Sequence, residues 1–188
     1  DPEDPDAERQ LSQILDENDL PYALVRKSGF VFRNGDSLSS ATAIVAGQDS
    51  LDGFYGLKDA ESGEKLRPVD SGILIPSRMS VYLGLNPGDN LYAYDCSLEV
   101  REIPIFGVFT NHFGNLLFFT PAGYESAFDT EAAPNCFLVR TDGMTISELE
   151  AKVEGIPGLL EVRDAAADRA RFDSFSSILR SEERRVGK

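Results

Sequence analysis

The sequence predicts an α+β fold, a mixed and mainly antiparallel sheet with short helices. Two observations lead there. Apolar runs of strand length alternate irregularly with short helical patterns, and tight turn signals separate neighbouring strands. A doubly wound parallel sheet would need regular strand–helix alternation with long crossovers, and that pattern is missing. The 188 residues are 41 % hydrophobic and include 12 Phe and 6 Tyr, enough apolar side chain for a core of ordinary size.

The elements follow in order. Leu11, Ile14 and Leu15 share one helical face in residues 5–18, and Asp6 falls in the first turn, where negative charge suits a helix N-terminus. Pro21 ends that helix, because the residue before proline is pushed out of the α region. Residues 22–33 and 41–46 read as strands joined through Asn34-Gly35-Asp36, a hairpin signal. Residues 48–70, rich in Gly, Asp and Ser, read as loop. Residues 72–76 form a short strand, and residues 77–83 a small helix with Ser77 as its N-cap and Gly84 at its end. Asn86-Pro87-Gly88-Asp89 is a turn into a hairpin of strands 91–94 and 98–109. Residues 116–119 are a strand, 121–128 a helix opened by Pro121, and 136–140 another strand. Thr145-Ile146-Ser147-Glu148 has capping-box spacing for a helix to about Glu154, closed by Gly155. Residues 159–162 read as a last strand, and the chain from Asp164 as helix.

A net charge of −14 opposes broad contact with nucleic-acid phosphates or anionic headgroups. No apolar run reaches the 18 or so residues that span a bilayer. His112 is the single histidine, in a polar loop, and no HExxH, GxSxG, P-loop or dinucleotide motif accompanies it. No catalytic residue, cofactor site or metal site is therefore predicted. Cys96 and Cys136 lack metal-ligand spacing. They are a candidate disulfide, worth about 4 kcal/mol in the chain-entropy model, or else two separate thiols. Phe106, Phe109, Phe113, Phe118 and Phe119 lie in or beside strands and are assigned to the core rather than to a ligand groove. The candidate partner contacts are exposed turns on a rigid sheet: Asn111, His112, Phe113 and Asn115 in one loop, Phe54 and Tyr55 in another.

Five segments in order resemble one family. Ile75-Pro76-Ser77 with Leu83-Gly84-Leu85-Asn86-Pro87-Gly88-Asp89 is similar to a hairpin entry found in the extracytoplasmic domains of FtsX/MacB-like ABC-transporter permeases. Residues 102–109 resemble the central strand of those domains, 115–124 their strand-to-helix step, 135–140 the next strand and 156–162 their closing segment. Residues 1–70 match poorly and are expected to form an N-terminal lobe of helix plus hairpin, with 71–163 as the core. The resemblance implies that residues 164–179, with Phe172, Phe175, Ile178 and Leu179 on one face, form a juxtamembrane helix leading toward a transmembrane segment. Residues 180–188 are similar to the translated read-through of a sequencing adapter and are expected to be an artefact.

The function so implied is non-catalytic. Such a domain couples membrane-helix motion to an exported lipoprotein, peptide or cell-wall partner, outside a cell membrane whose cytoplasmic face carries the cognate ATPase. The intact transporter is expected to be a dimer. Two alternatives remain open at this stage. The segment around Gly72–Asp89 also looks like the swapped hairpin of AbrB-type DNA-binding proteins, which the negative charge disfavours. A hydrolase would require His112 to sit beside a carboxylate in a cleft.

Overall fold

The computed structural model describes residues 5–35, 37–94, 99–111 and 114–164. These fall into two units, residues 21–140 and, separately, residues 5–20 with 141–164.

The larger unit holds β1 (Tyr22–Asn34), β2 (Ser37–Val45), β3 (Ile73–Pro76), α2 (Ser77–Leu83), β4 (Asn90–Tyr94), β5 (Val100–Phe109), β6 (Leu116–Phe119), α3 (Pro121–Phe128) and β7 (Cys136–Val139); the smaller holds α1 (Pro5–Glu17) and α4 (Ile146–Val153). The strands form a mixed sheet in the order β2-β6-β3-β5-β4-β1-β7, with β1 pairing back onto β2. Six of them therefore close into a ring, β1–β2–β6–β3–β5–β4, and β7 is added to the start of β1. Pairings β2–β6 and β3–β5 are parallel, and the remaining ones antiparallel. The α+β expectation holds. β1 and β2 are walls of the same ring as β3 to β6, because β1 bridges β2 to β4.

Closure gives the sheet an inside and an outside, and the two-residue side-chain period sorts the chain between them. Phe30, Phe32, Ala41, Ala43, Val45, Ile73, Ile75, Leu91, Ala93, Ile103, Ile105, Leu117 and Phe119 point inward, joined by Met79 of α2 and by Tyr124 and Phe128 of α3. Large residues face small ones across the ladders: Phe30 lies opposite Ala41, and Phe32 opposite Ala93. That alternation lets side chains of unequal size interdigitate in a narrow interior. Each buried Phe, Leu or Ile contributes about 1.5–3 kcal/mol by transfer from water, so this cluster outweighs the caps and turns.

Residues 47–70 are irregular, as expected, yet they are packed down as a strap. Leu51 and Leu57, with Phe54, Tyr55 and Leu66, cover the outward faces of Val25, Ile44, Leu74, Phe109 and Phe118. The sequence gives no period there because the strap buries isolated residues rather than a face.

Local signals mostly match. Gly84 takes φ 67° at the C-cap of α2, Thr120 caps α3 by accepting from the Gly123 N–H, and Thr145 with Glu148 forms the capping box of α4. Three expectations need correction. Ser77 is not an N-cap: Pro76 holds that position, and the Ser77 hydroxyl donates to the Asn111 carbonyl at 3.1 Å instead. Residues 159–162 form no strand, since no neighbouring strand is available to them among the described residues. Phe106 is exposed at 47 %, because the two-residue alternation that points Ile103 and Ile105 inward leaves it outward with Pro104. The remainder of the expected C-terminal helix, and residues 180–188, lie outside the described residues. In the smaller unit α1 and α4 touch, and Leu11, Leu15, Leu149 and Val153 are buried.

Gly72 sits where β3 passes β5 most closely. A Cβ there would meet the Pro104 carbonyl oxygen at 2.6 Å, a backbone atom that cannot move aside alone. Gly72→Ala is expected to destabilise the fold by about 1–3 kcal/mol, measured as a lower urea midpoint with an unchanged m-value.

Candidate functional site

The loop after β5 begins on ordered ground. Asn111 is clamped to the start of α2: its N–H donates to Ser77 Oγ at 3.3 Å, and its carbonyl accepts from the Ser77 hydroxyl and the Arg78 N–H. At the loop's far end the Asn115 side chain donates to the Ser40 carbonyl at 2.9 Å, and its own carbonyl accepts from the Thr42 N–H. His112 and Phe113 lie outside the described residues. Both anchors are thus pinned to the ring, one to α2 and the other to β2.

The second candidate segment meets the first. The Thr110 N–H donates to the Lys58 carbonyl, and the Ala60 N–H to the Val108 carbonyl, so residues 58–60 run alongside the end of β5. Asp59 accepts from the Glu61 and Ser62 N–H groups and from the Ser62 hydroxyl, which folds residues 59–63 into an exposed turn. Those bonds hold the Asp59 carboxyl below its usual range, the Ser62 N–H contributing most. Phe54 and Tyr55 are half-buried, and the Tyr55 ring stands edge-on to Phe118 at 4.9 Å between centroids. Burial pushes the Tyr55 hydroxyl above its ordinary pKa. Their rings hold the strap down, and residues 59–64 are the exposed part.

Sequence reading missed a neighbour of this surface. Val81 and Tyr82 of α2 are 84 % and 68 % exposed, on a helix that buries only Met79. The signal was the adjacent apolar pair in a seven-residue helix, where only one side can face the core.

Cys136 is a free thiol in β7, half-buried and raised in pKa by that burial. Its candidate disulfide partner, Cys96, lies outside the described residues. Among the described residues no group of three His, Cys, Asp or Glu side chains gathers as a metal would require. A cleft of about 150 Å³ opens between β3, β5 and α3, with Asp70 at its rim bonded to the Thr120 hydroxyl at 2.6 Å. No helix among the described residues is long and apolar enough to cross a membrane.

The chain is similar to extracellular and periplasmic domains of ABC transporters. The extracellular domain of the noncanonical ABC-type transporter YknZ from Gram-positive bacteria superposes with a TM-score of 0.48 and 14 % identity, over 77 % of this chain and 76 % of that one. The periplasmic region of MacB from Actinobacillus actinomycetemcomitans does so with a TM-score of 0.44 and 12 % identity, over 70 % of this chain and 63 % of that one. No family model matches the sequence, and no curated protein matches it significantly.

The strap is tied by charge as well as by rings. Asp52 pairs with Lys65 at 2.5 Å and with Arg67 at 3.3 Å, and Arg67 also reaches Asp49 at 3.0 Å. The hydrogen bond from Lys65 is the largest influence on the Asp52 carboxyl; together with the Lys65 charge and the hydrogen bond and charge of Arg67 it outweighs desolvation and holds the group below its ordinary value. For a carboxyl with a lowered folded-state pKa, the stabilisation is present above the ordinary value and lost as pH falls through the lowered one. Amide exchange of residues 51–66 should therefore accelerate as pH drops below about 4, after correction for intrinsic rates. In Asp52→Asn that pH dependence should flatten.

Proposed function

We propose that this chain is a non-catalytic extracytoplasmic domain of an ABC-transporter permease. It stands on the outer side of a cell membrane and passes movement between membrane helices and an exported substrate or cell-envelope partner. The observation that carries this reading is the order in which the family-like segments are laid out. Residues 75–89 supply the end of β3, then α2 and the turn into β4. Residues 102–109 are most of β5, residues 115–124 run through β6 into α3, and residues 135–140 contain β7. Four of the five resemblances thus become successive pieces of one ring-shaped unit, while the fifth, residues 156–162, belongs to the smaller unit.

The mechanical role follows from how that unit is built. A ring with a filled interior transmits displacement as a rigid body, because close-packed cores deform little. The contact surface for the partner includes residues 59–64, the loop anchors Asn111 and Asn115 and the exposed side of α2, with both anchors bonded to the ring. The ATPase that drives the movement is a separate cytoplasmic subunit in this reading, and the domain supplies no chemistry of its own.

The test is protease accessibility of the domain in its native gene context. In intact cells with a sealed inner membrane and a permeable outer layer, externally added protease should cut at residues 60–63. A cytoplasmic ATPase marker should survive in the same sample. Protection of the domain until the inner membrane is lysed would overturn the reading.

A further inference from the structure

Ring closure leaves one strand without a second neighbour. Among the described strands every member of the ring pairs on both sides, and β7 pairs with β1 alone. The ladder register, with the Arg140 N–H donating to the Pro21 carbonyl at 2.9 Å, turns the main-chain groups of Cys136 and Leu138 toward β1. Those of Phe137 and Val139 therefore point the other way. Their N–H and carbonyl groups form a free edge. Among the described residues only the Phe137 carbonyl is touched, by the Cys136 thiol at 3.6 Å.

The edge lacks the devices that usually protect an exposed strand. Residues 136–139 include no proline and no charge, and their register with β1 is unbroken. Both faces of the strand are already supported. Cys136 and Leu138 pack against the cluster under the strap, and the Phe137 ring lies against Tyr22 at 5.7 Å between centroids. β7 is thus held in the extended geometry that an incoming strand needs, so little ordering remains on its side. The local charge is also distinctive. In a chain of net charge −14, neither residues 135–140 nor the facing residues 21–27 contain an acidic side chain, and together they carry Arg26, Lys27 and Arg140. Lys27 is exposed and tied through its main chain to the Asn135 side chain just before β7, and exposed Arg140 follows Val139. Positive charge therefore marks both ends of the free edge.

We propose that the free edge of β7 takes up an extended, acidic polypeptide segment of a partner protein as an added strand. Main-chain hydrogen bonds to Phe137 and Val139 supply the affinity. Lys27 and Arg140 favour carboxylates at the two ends of the segment and disfavour basic ones. The shortness of β7 limits the addition to a short segment and keeps the edge from templating a long ladder. The inference uses only the strand's free main chain and its charged surroundings, and it is independent of the transporter reading.

The probe is a short synthetic peptide of alternating valine and threonine with a glutamate at each end, added to the whole chain labelled with nitrogen-15. The amide signals of Phe137 and Val139 are expected to shift and to gain exchange protection. A dissociation constant on the order of 1 mM or below is expected, because ordering a free peptide offsets most of the binding energy. Val139→Pro removes an N–H that bonds nothing in the β1 ladder and blocks the approach. It should weaken binding about tenfold or more while the melting curve stays close to wild type. A second arm needs no variant: methylating every main-chain nitrogen of the peptide should abolish binding, and methylating alternate ones should preserve it, since an added strand uses one edge only. A lysine-ended peptide should bind about threefold or more weakly. No shift at Phe137 and Val139 up to about 5 mM peptide overturns the proposal. So does binding that survives full methylation, or undiminished binding by folded Val139→Pro. Equal binding of the lysine-ended peptide overturns the acidic character of the partner.

Discussion

The short seam between β1 and β4, where Val31 meets Tyr94 and Phe32 meets Ala93, is the contact on which the architecture depends. Without it the sheet would be open, with β1 and β4 as its two edges and β2 still paired to β6. With it, six strands share an enclosed interior. Phe32 lies across the seam with 1 % of its surface exposed, and Ala93 opposite is fully buried, so the closing strands interlock through one large and one small residue. A sheet closed at so few residues needs its inner packing to hold it, and the cluster of Phe30, Phe119, Tyr124 and Phe128 supplies that through ring contacts of 4.9–6.0 Å.

Once the ring is closed, the outside becomes a separate problem. The chain solves part of it with residues 47–70, whose Leu51, Tyr55 and Leu57 cover one sector. The loops that the strap and β5 present side by side are pinned by backbone bonds at Lys58, Ala60 and Thr110. The same closure leaves β7 as an added strand beside β1. There Asn135 prolongs the ladder with its side chain, accepting from the Lys27 N–H and donating to the Lys27 carbonyl.

The candidate site was legible in the sequence only in outline. Asn111 and Asn115 were marked as loop residues by their polar setting, and their roles as anchors to Ser77 and Ser40 depend on partners 34 and 75 residues away. Phe54 and Tyr55 were visible as aromatics in a turn-rich segment. Whether such residues project or pack is decided by what lies beneath them, here Phe118 of a strand far along the chain.

Local patterns alone specify the Asn34-Gly35 hairpin, the Gly84 helix end, Pro121 after Thr120, the Thr145–Glu148 capping box and the alternating strands. Each rests on contacts within a few residues, so a short window contains the whole physical cause. They also specify the α+β class, because the irregular interleaving of strands and helices excludes a doubly wound sheet. Long-range pairing sets the rest: the first hairpin joins the same ring as the later strands, the turn-rich segment packs down as a strap, and Phe106 faces outward while Phe119 faces inward. Those outcomes come from ladder registers between distant segments, and an apolar alternation specifies two faces without saying which one will be enclosed.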